Sequence, residues 1–384
     1  MAATVSEMQM QHSATGRENP PLQVAMVGPS LRTWLGGQEV QLDSLVRDWA
    51  GDDSVQILLV LNNPRLPAAL GWAERIPLLR TLLRSPLYVQ LVWRAARQAD
   101  IVHVFSASHS SFLLAPLPAC VVARWLGKKT LVHYHSRRAQ EHLEASALAR
   151  WLLLRTDSIV VPSSYLAGVF QQYGLRATVV PNVVDLAQFP YRPRVPLRPR
   201  LLCTRNFDAY CGVDDVIRAF RCIKTAIPSA RLCLVGKGKQ EPLIRRLIAE
   251  LHLNDVELAG TVSREGIHDA YANADIFINA SRGDNMPVSI LEAFASGMPV
   301  ATTAAGGIPH MLDHEVTGLL CEVGDWESLA NNVVRLLQNQ TLAQRMAHNA
   351  HEAVQQCSWT QVRKRWLAVY ESLRSCPQET WRRS

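Results

Sequence analysis

Short apolar runs alternate along this chain with longer stretches in which apolar residues recur every three or four positions. The runs predict strands over residues 23–27, 55–61, 101–105, 130–133, 158–161 and 178–180. A second series follows at 201–204, 231–235, 256–259, 276–280, 300–303 and 318–321. The amphipathic stretches predict helices, among them 39–49, 112–126, 213–226, 242–251, 263–273 and 287–296. Strand and helix alternating with short connections is the pattern of an α/β protein with parallel, helix-covered sheets.

The proline- and arginine-rich stretch 190–199 breaks the alternation and reads as an extended linker. It divides a first domain, 21–189, from a second, 200–357. Two doubly wound, Rossmann-like domains facing one cleft follow, with ligands at the strand C-termini. Residues 1–20 read as a disordered lead. In the tail, 358–384, Trp359, Val362, Trp366, Leu367, Tyr370 and Leu373 fall at helical spacing. That helix either closes the second domain or packs back across the first.

At 384 residues the chain is long enough for two sizeable cores. No apolar run reaches the roughly 18–20 residues of a membrane span, and the start shows no secretory signal. The eight cysteines include no Cys-x-x-Cys and read as reduced, mostly core thiols of a cytoplasmic protein. The net charge of +7 is lopsided: residues 1–195 hold 19 Lys/Arg against 13 Asp/Glu, and residues 196–384 hold 21 against 20. A basic front half without a nucleic-acid motif points to anionic lipid or a phosphate-bearing acceptor. Within it, 75–97 joins Leu78, Leu79, Leu82, Leu83 and Leu87 to Arg80, Arg84, Arg94 and Arg97. An apolar face with basic flanks fits either an anionic membrane surface or a core-facing helix, and Pro86 is expected to interrupt it.

The chemistry concentrates at 284–299. Asp284 sits in a loop, and Glu292 lies about one turn into a helix whose first position suits Pro287. Free N–H groups at that helix start, beside Asn285 and Met286, face a strand end, where they attract phosphate or sugar oxygens. The two carboxylates can accept from ribose or hexose hydroxyls.

Several motifs together resemble the retaining glycosyltransferase family 4, of the two-domain GT-B fold. In the back half they are Val235-Gly-Lys-Gly238, Val262-Ser-Arg-Glu265, Tyr271-Ala-Asn-Ala-Asp-Ile-Phe277, Asp284 with Glu292-Ala-Phe-Ala-Ser-Gly-Met-Pro299, Ala305-Gly-Gly-Ile-Pro309 and Thr317-Gly-Leu-Leu320. In the front half they are Val27-Gly-Pro-Ser30, Gly36-Gly37, Asp100-Ile-Val-His103, His133-Tyr-His135, Val161-Pro-Ser163 and Pro181-Asn-Val-Val-Asp185. The resemblance covers roughly residues 22–372. It implies that Glu292 holds the ribose, Asp284 a sugar hydroxyl and Arg205 the diphosphate, with His135 at the reacting sugar. It further implies that Gly36 and Gly37 admit the diphosphate, and that Gly236, Lys237 and Val262 lie near the nucleotide. Gly306-Gly307 resembles a loop near the phosphates.

Two positions depart from the family pattern. Asp284 replaces a glutamate, which shortens that arm by one methylene. Cys211 stands where a lysine precedes Gly212, so one cation of the phosphate grip is missing, with Lys237 or Lys239 the nearest replacements. No Asp-x-Asp occurs, so donor binding without a metal or other cofactor is expected. The expected activity moves a sugar from a nucleotide-diphosphate donor to a glycan or lipid-linked acceptor. Alternatives on the same fold are a nucleotide-sugar epimerase, a sugar-phosphate synthase, or a nucleotide-sugar-binding protein without catalysis.

Overall fold

In the computed structural model, residues 20–29, 37–263 and 266–375 are described. The expected lead, Gly36, Arg264, Glu265 and Cys376 therefore lie outside the described residues, apart from Pro20.

Six parallel strands form the first sheet: β1 (Leu22–Gly28), β2 (Val55–Leu61), β3 (Ile101–Ser106), β4 (Lys129–Tyr134), β5 (Ser158–Val161) and β6 (Thr178–Val179), in the order β2-β1-β3-β4-β5-β6. Their short apolar runs are buried on both faces, as a parallel sheet requires. One face is covered by α2 (Pro77–Gln98), α3 (Ser110–Leu114), α4 (Pro116–Trp125), α5 (Ala139–Ala145), α6 (Ala147–Leu153) and α7 (Ser164–Gln172), which share a core with Val102, Val104 and Val132. The other face is covered by α1 (Gly37–Ala50), whose Leu42, Leu45 and Trp49 pack against Val24, Met26 and Ile101.

The second sheet is also parallel: β7 (Arg200–Thr204), β8 (Arg231–Val235), β9 (Val256–Gly260), β10 (Ile276–Asn279), β11 (Val300–Thr303) and β12 (Leu319–Cys321), in the order β12-β11-β10-β7-β8-β9. On one side lie α8 (Val213–Ala226), α9 (Glu241–Glu250) and α12 (Trp326–Gln338). On the other lie α10 (Ile267–Asn273), α11 (Val288–Ala295) and the end of α13 (Gln340–Val354). Winding reverses between β1 and β3 in one sheet and between β7 and β10 in the other. Crevices at those reversals open at the strand C-termini.

The final helix, α14 (Trp359–Ser375), lies on the first sheet although the preceding helix belongs to the second. Val362, Trp366, Val369, Tyr370 and Leu373 complete the core built by α1, and Trp359 meets Trp49 edge-on at 4.8 Å. Arg363 pairs with Asp52.

Local chemistry changes several expected elements. The helix expected over 112–126 is two helices, because Pro116 starts α4 and disfavours helical backbone at Ala115. Pro86 has the opposite outcome, with α2 running through it. The carbonyl that loses its partner there belongs to Leu82, on an exposed face where water can bond it. The helix expected from 263 is described only from Ile267. Pro287 is the N-cap of α11 rather than its first helical residue, with extended backbone at ψ 120°.

Residues 190–199 form no helix or strand and are fixed to the second domain. Asp275, fully buried, accepts from Arg192 at 2.8 Å and from Arg198 Nε at 2.7 Å. Buried Arg194 donates to the carbonyls of Tyr271 and Ser296. The arginines anchor the segment.

Candidate nucleotide-sugar site

A cleft of about 990 Å³ runs between the two sheets. Its front wall holds Gly37, at the start of α1, and His135, one residue beyond β4. Its back wall holds Arg205 beyond β7, Gly236 and Lys237 beyond β8, Val262 beyond β9, and Asp284, Asn285, Met286, Pro287 and Glu292 around the start of α11. Every proposed site residue that is described lies on this cleft; Gly36 is not among the described residues.

Arg205 is the centre of the back wall. Its Nη2 lies 2.5 Å from Asp284 Oδ2 and 3.8 Å from Cys211 Sγ. Burial opposes the guanidinium's charge, but the neighbouring Asp284 carboxylate outweighs that and raises the Arg205 pKa above its ordinary value. Burial pushes the Cys211 thiol up, with Arg205 pulling the other way. Cys211 therefore contributes no positive charge at neutral pH. The turn after β8 needs glycine at Gly236, where φ is 145° and a Cβ would stand 2.1 Å from the Arg205 carbonyl oxygen.

Glu292 is held from below. Its Oε2 accepts from Tyr271 Oη at 2.6 Å, and that hydroxyl lies 2.7 Å from Thr204 Oγ1. Tyr271 is buried in α10, and burial first, then the Glu292 charge, raise its phenol far above the ordinary range. It acts as a permanent donor that aims the carboxylate at the cleft.

Asp284 is positioned by its loop. Its Oδ1 accepts from Asn285 N at 2.8 Å, and its carbonyl accepts from Gly307 N at 2.7 Å. A Cβ on Gly307 would stand 2.0 Å from the Asn285 carbonyl oxygen. Gly306-Gly307 was expected near the phosphates, but it does not line the cleft and instead supports the acidic loop from behind.

Two asparagines bridge the walls. Asn285 Nδ2 donates to the His135 carbonyl at 2.8 Å, and Asn182 Nδ2 donates to the Met286 carbonyl at 2.8 Å. Both asparagine Oδ1 atoms are buried without a hydrogen-bond partner.

His135 stacks on Phe105 at 5.4 Å, and its ring centre is 4.0 Å from that of His133. Burial pushes its pKa down to about 3, so it is neutral at pH 7. His103, also lowered to about 3 by burial, lies 2.8 Å from Tyr370 Oη and 3.3 Å from His133 Nδ1. His103 and His133 are both buried and do not line the cleft.

Comparison with known proteins agrees with this geometry. Residues 35–188 match the family described as Glycosyltransferase Family 4, and residues 193–353 match Glycosyl transferases group 1. The chain belongs to glycosyltransferase family 4. It is 35% identical over 155 residues to the N-acetyl-alpha-D-glucosaminyl L-malate synthase of Bacillus anthracis, covering 40% of each chain. The alignment thus spans two-fifths of that relative's length. Among solved structures, Anabaena HepE in complex with UDP and glucose superposes with a TM-score of 0.72 at 19% identity, covering 91% of this chain and all of that one. The sucrose-phosphate synthase of Thermosynechococcus elongatus gives 0.71 at 19% identity, covering 92% and 99%. The fold is GT-B.

Among the described residues, no group of three or more His, Cys, Asp or Glu side chains is arranged to hold a metal ion, and no helix is long and apolar enough to cross a membrane. Tyr271 and Asn182 lie within the family motifs, and their roles appear only in the fold. Arg137 and Tyr210, outside those motifs, also line the cleft and meet across it.

Proposed function

We propose that this family 4 protein transfers a sugar from a nucleoside-diphosphate donor to an acceptor hydroxyl, with retention at the anomeric carbon. The observation that carries the reading is the convergence of Arg205, Asp284 and Glu292 from one wall, and His135 and Gly37 from the other, on a single cleft. Glu292, aimed by Tyr271, accepts from the ribose hydroxyls. Asp284 accepts from a hydroxyl of the donor sugar. Arg205 and the N-terminus of α11 receive the diphosphate, stabilising the charge that grows on it as the glycosidic bond breaks. Neutral His135 donates or accepts at the reacting sugar without adding charge.

In the front-face reaction the bond from C1 to the phosphate oxygen breaks and a bond from C1 to the acceptor oxygen forms on the same side. The acceptor proton passes to the departing phosphate. On this reading Arg205 and the α11 N-terminus supply the countercharge, and the donor needs no resident metal. Closure of the walls excludes water and limits donor hydrolysis.

The acceptor is a glycan or a lipid-linked hydroxyl, and the first domain meets an anionic membrane. Support comes from the helical layer over its sheet, which exposes Trp72, Ile76, Leu78, Leu82, Leu114 and Trp125, with Arg75, Arg94 and Arg97 also exposed.

The test incubates the purified chain with UDP-, GDP- and ADP-sugars and lipid extract, with and without EDTA, and follows products by mass spectrometry. Transfer that persists in EDTA, giving the α-anomer from an α-linked donor, is expected. Donor binding with no turnover on any acceptor would reject the transferase reading and favour a binding protein, the reading that uncharged Cys211 supports. Release of free or phosphorylated sugar products alone would favour the epimerase or sugar-phosphate synthase alternatives.

A further inference from the structure

We propose that Arg137, on the front wall, supplies the second cation for the donor diphosphate, replacing from the opposite domain the lysine that Cys211 displaces. This rests on the reading of the cleft as a nucleoside-diphosphate-sugar site.

Among the described residues, four Lys or Arg side chains line the cleft: Arg137, Arg138, Arg205 and Lys237. Arg205 is paired with Asp284 at 2.5 Å and Arg138 with Glu141 at 2.6 Å. Arg137 forms no ion pair with a carboxylate of the described residues. Its guanidinium carbon instead lies 3.5 Å from the centroid of the Tyr210 ring, a cation–π contact across the cleft. Tyr210 immediately precedes Cys211, whose sulfur is in contact with Arg205. Arg137 is therefore held over the neighbour of the missing lysine's position, facing the wall that carries Arg205. Burial pushes the Tyr210 phenol up to about 12, so its ring stays neutral under the guanidinium.

Lys237 is the competing cation. It is exposed, on the loop where Phe207 N donates to its carbonyl. Its ammonium is a strongly hydrated point charge. The Arg137 guanidinium is planar, weakly hydrated and able to offer paired N–H groups to phosphate oxygens. Arg137 follows β4 of the first sheet and Arg205 follows β7 of the second. A diphosphate gripped by both ties the two walls together, so the same contact that anchors the leaving group favours closure.

Calorimetric titration of UDP, GDP and ADP onto the wild type identifies a binding nucleotide. That nucleotide, its monophosphate and its nucleoside are then titrated onto Arg137→Gln, Arg137→Lys, Lys237→Gln, and Arg137→Gln combined with Cys211→Lys. Arg137→Gln is expected to weaken the diphosphate by about ten- to a hundredfold, the scale of a charge-assisted hydrogen bond. The nucleoside should stay within about twofold, since it carries no phosphate for the guanidinium to meet. Arg137→Lys should lose less, and adding Cys211→Lys should recover most of the loss. Unchanged diphosphate affinity in Arg137→Gln, a parallel loss of nucleoside affinity, or the full loss appearing in Lys237→Gln instead would overturn the assignment while leaving the site intact. A wild type that binds none of the three diphosphates removes the site reading and this inference with it.

Discussion

Arg205 Nη2 lies 2.5 Å from Asp284 Oδ2, so the groups assigned to the diphosphate and to the sugar hold each other across the floor of the cleft. The pair keeps a buried guanidinium compensated and fixes the carboxylate's direction. If Asp284 also meets the sugar, Asp284→Asn lowers kcat/KM for the sugar donor by about ten- to a hundredfold. Affinity for the free nucleoside diphosphate should change far less. Kinetics paired with calorimetry decide it: equal losses in both would reduce Asp284 to a prop for Arg205.

Tyr271 offers the corresponding test of the ribose end. Its hydroxyl is 2.6 Å from Glu292 Oε2, and its ring is packed edge-on against Phe189. Tyr271→Phe preserves the ring and removes the donor. Nucleotide affinity is expected to fall by about 1–2 kcal/mol, and Glu292→Gln by about 1–3 kcal/mol. The double variant should lose little more than Glu292→Gln alone, because the tyrosine acts through the carboxylate. Additive losses measured by calorimetry would show that it does not.

Strand positions were legible because the central parallel strands are short apolar runs buried on both faces, such as 101–106, while β2 and β9 are partly exposed. The acidic loop and its helix were legible because Pro287 and Gly297 bracket a short apolar run, although Pro287 is the N-cap and not the first helical residue. Pro86 and Pro116 were not separable by sequence: one continues a helix whose bared carbonyl faces water, and the other starts a new one. Contacts between distant segments were hidden for a different reason. Arg137 over Tyr210, and Asn285 on the His135 carbonyl, depend on how two sheets face each other, which no local period encodes.

Linker anchoring carries a stability prediction. Burial works against the Asp275 charge, but hydrogen bonds from Arg198 and Arg192 outweigh it and hold its pKa below the ordinary value of 3.8. Its folded value is depressed, so its stabilisation is complete above the unfolded value of about 3.8 and is lost as pH falls from there through the folded value. Asp275→Asn leaves partly exposed Arg192 and Arg198 without their carboxylate and should cost about 1–3 kcal/mol near neutral pH. Urea denaturation at pH 7 measures this. A cost below about 1 kcal/mol would mean that water already screens the pair.

A second pH effect acts in a higher window. His103 and His135 are held at about 3, and His133 is also well below the ordinary 6.5, each chiefly by burial. The unfolded chain binds these three protons below about pH 6.5 while the fold does not, so stability falls as pH drops. The limiting slope is about 4 kcal/mol per pH unit, from three protons at about 1.4 each. Urea midpoints between pH 7 and 5 should show this loss, and His133→Phe should reduce the slope by about a third. A flat profile would mean that water reaches these rings.

The first domain's exposed apolar face makes the last prediction. Leu78 is 87% exposed, Trp125 77%, Leu82 69% and Trp72 60%. Trp93 on α2 and Trp125 on α4 lie 4.7 Å apart, which joins the face across two helices. Such side chains cost free energy in water and gain it in a lipid interface, while exposed Arg75, Arg94 and Arg97 favour anionic headgroups. The protein should sediment with vesicles containing phosphatidylglycerol, weakly with pure phosphatidylcholine, and less at high salt. Replacing Trp72, Leu78, Leu82 and Trp125 by serine should reduce vesicle binding by at least tenfold and leave stability almost unchanged, because these side chains bury little in the fold. Retained vesicle binding in that variant would move the contact to another surface, and a large loss of stability would show that the face is part of the core.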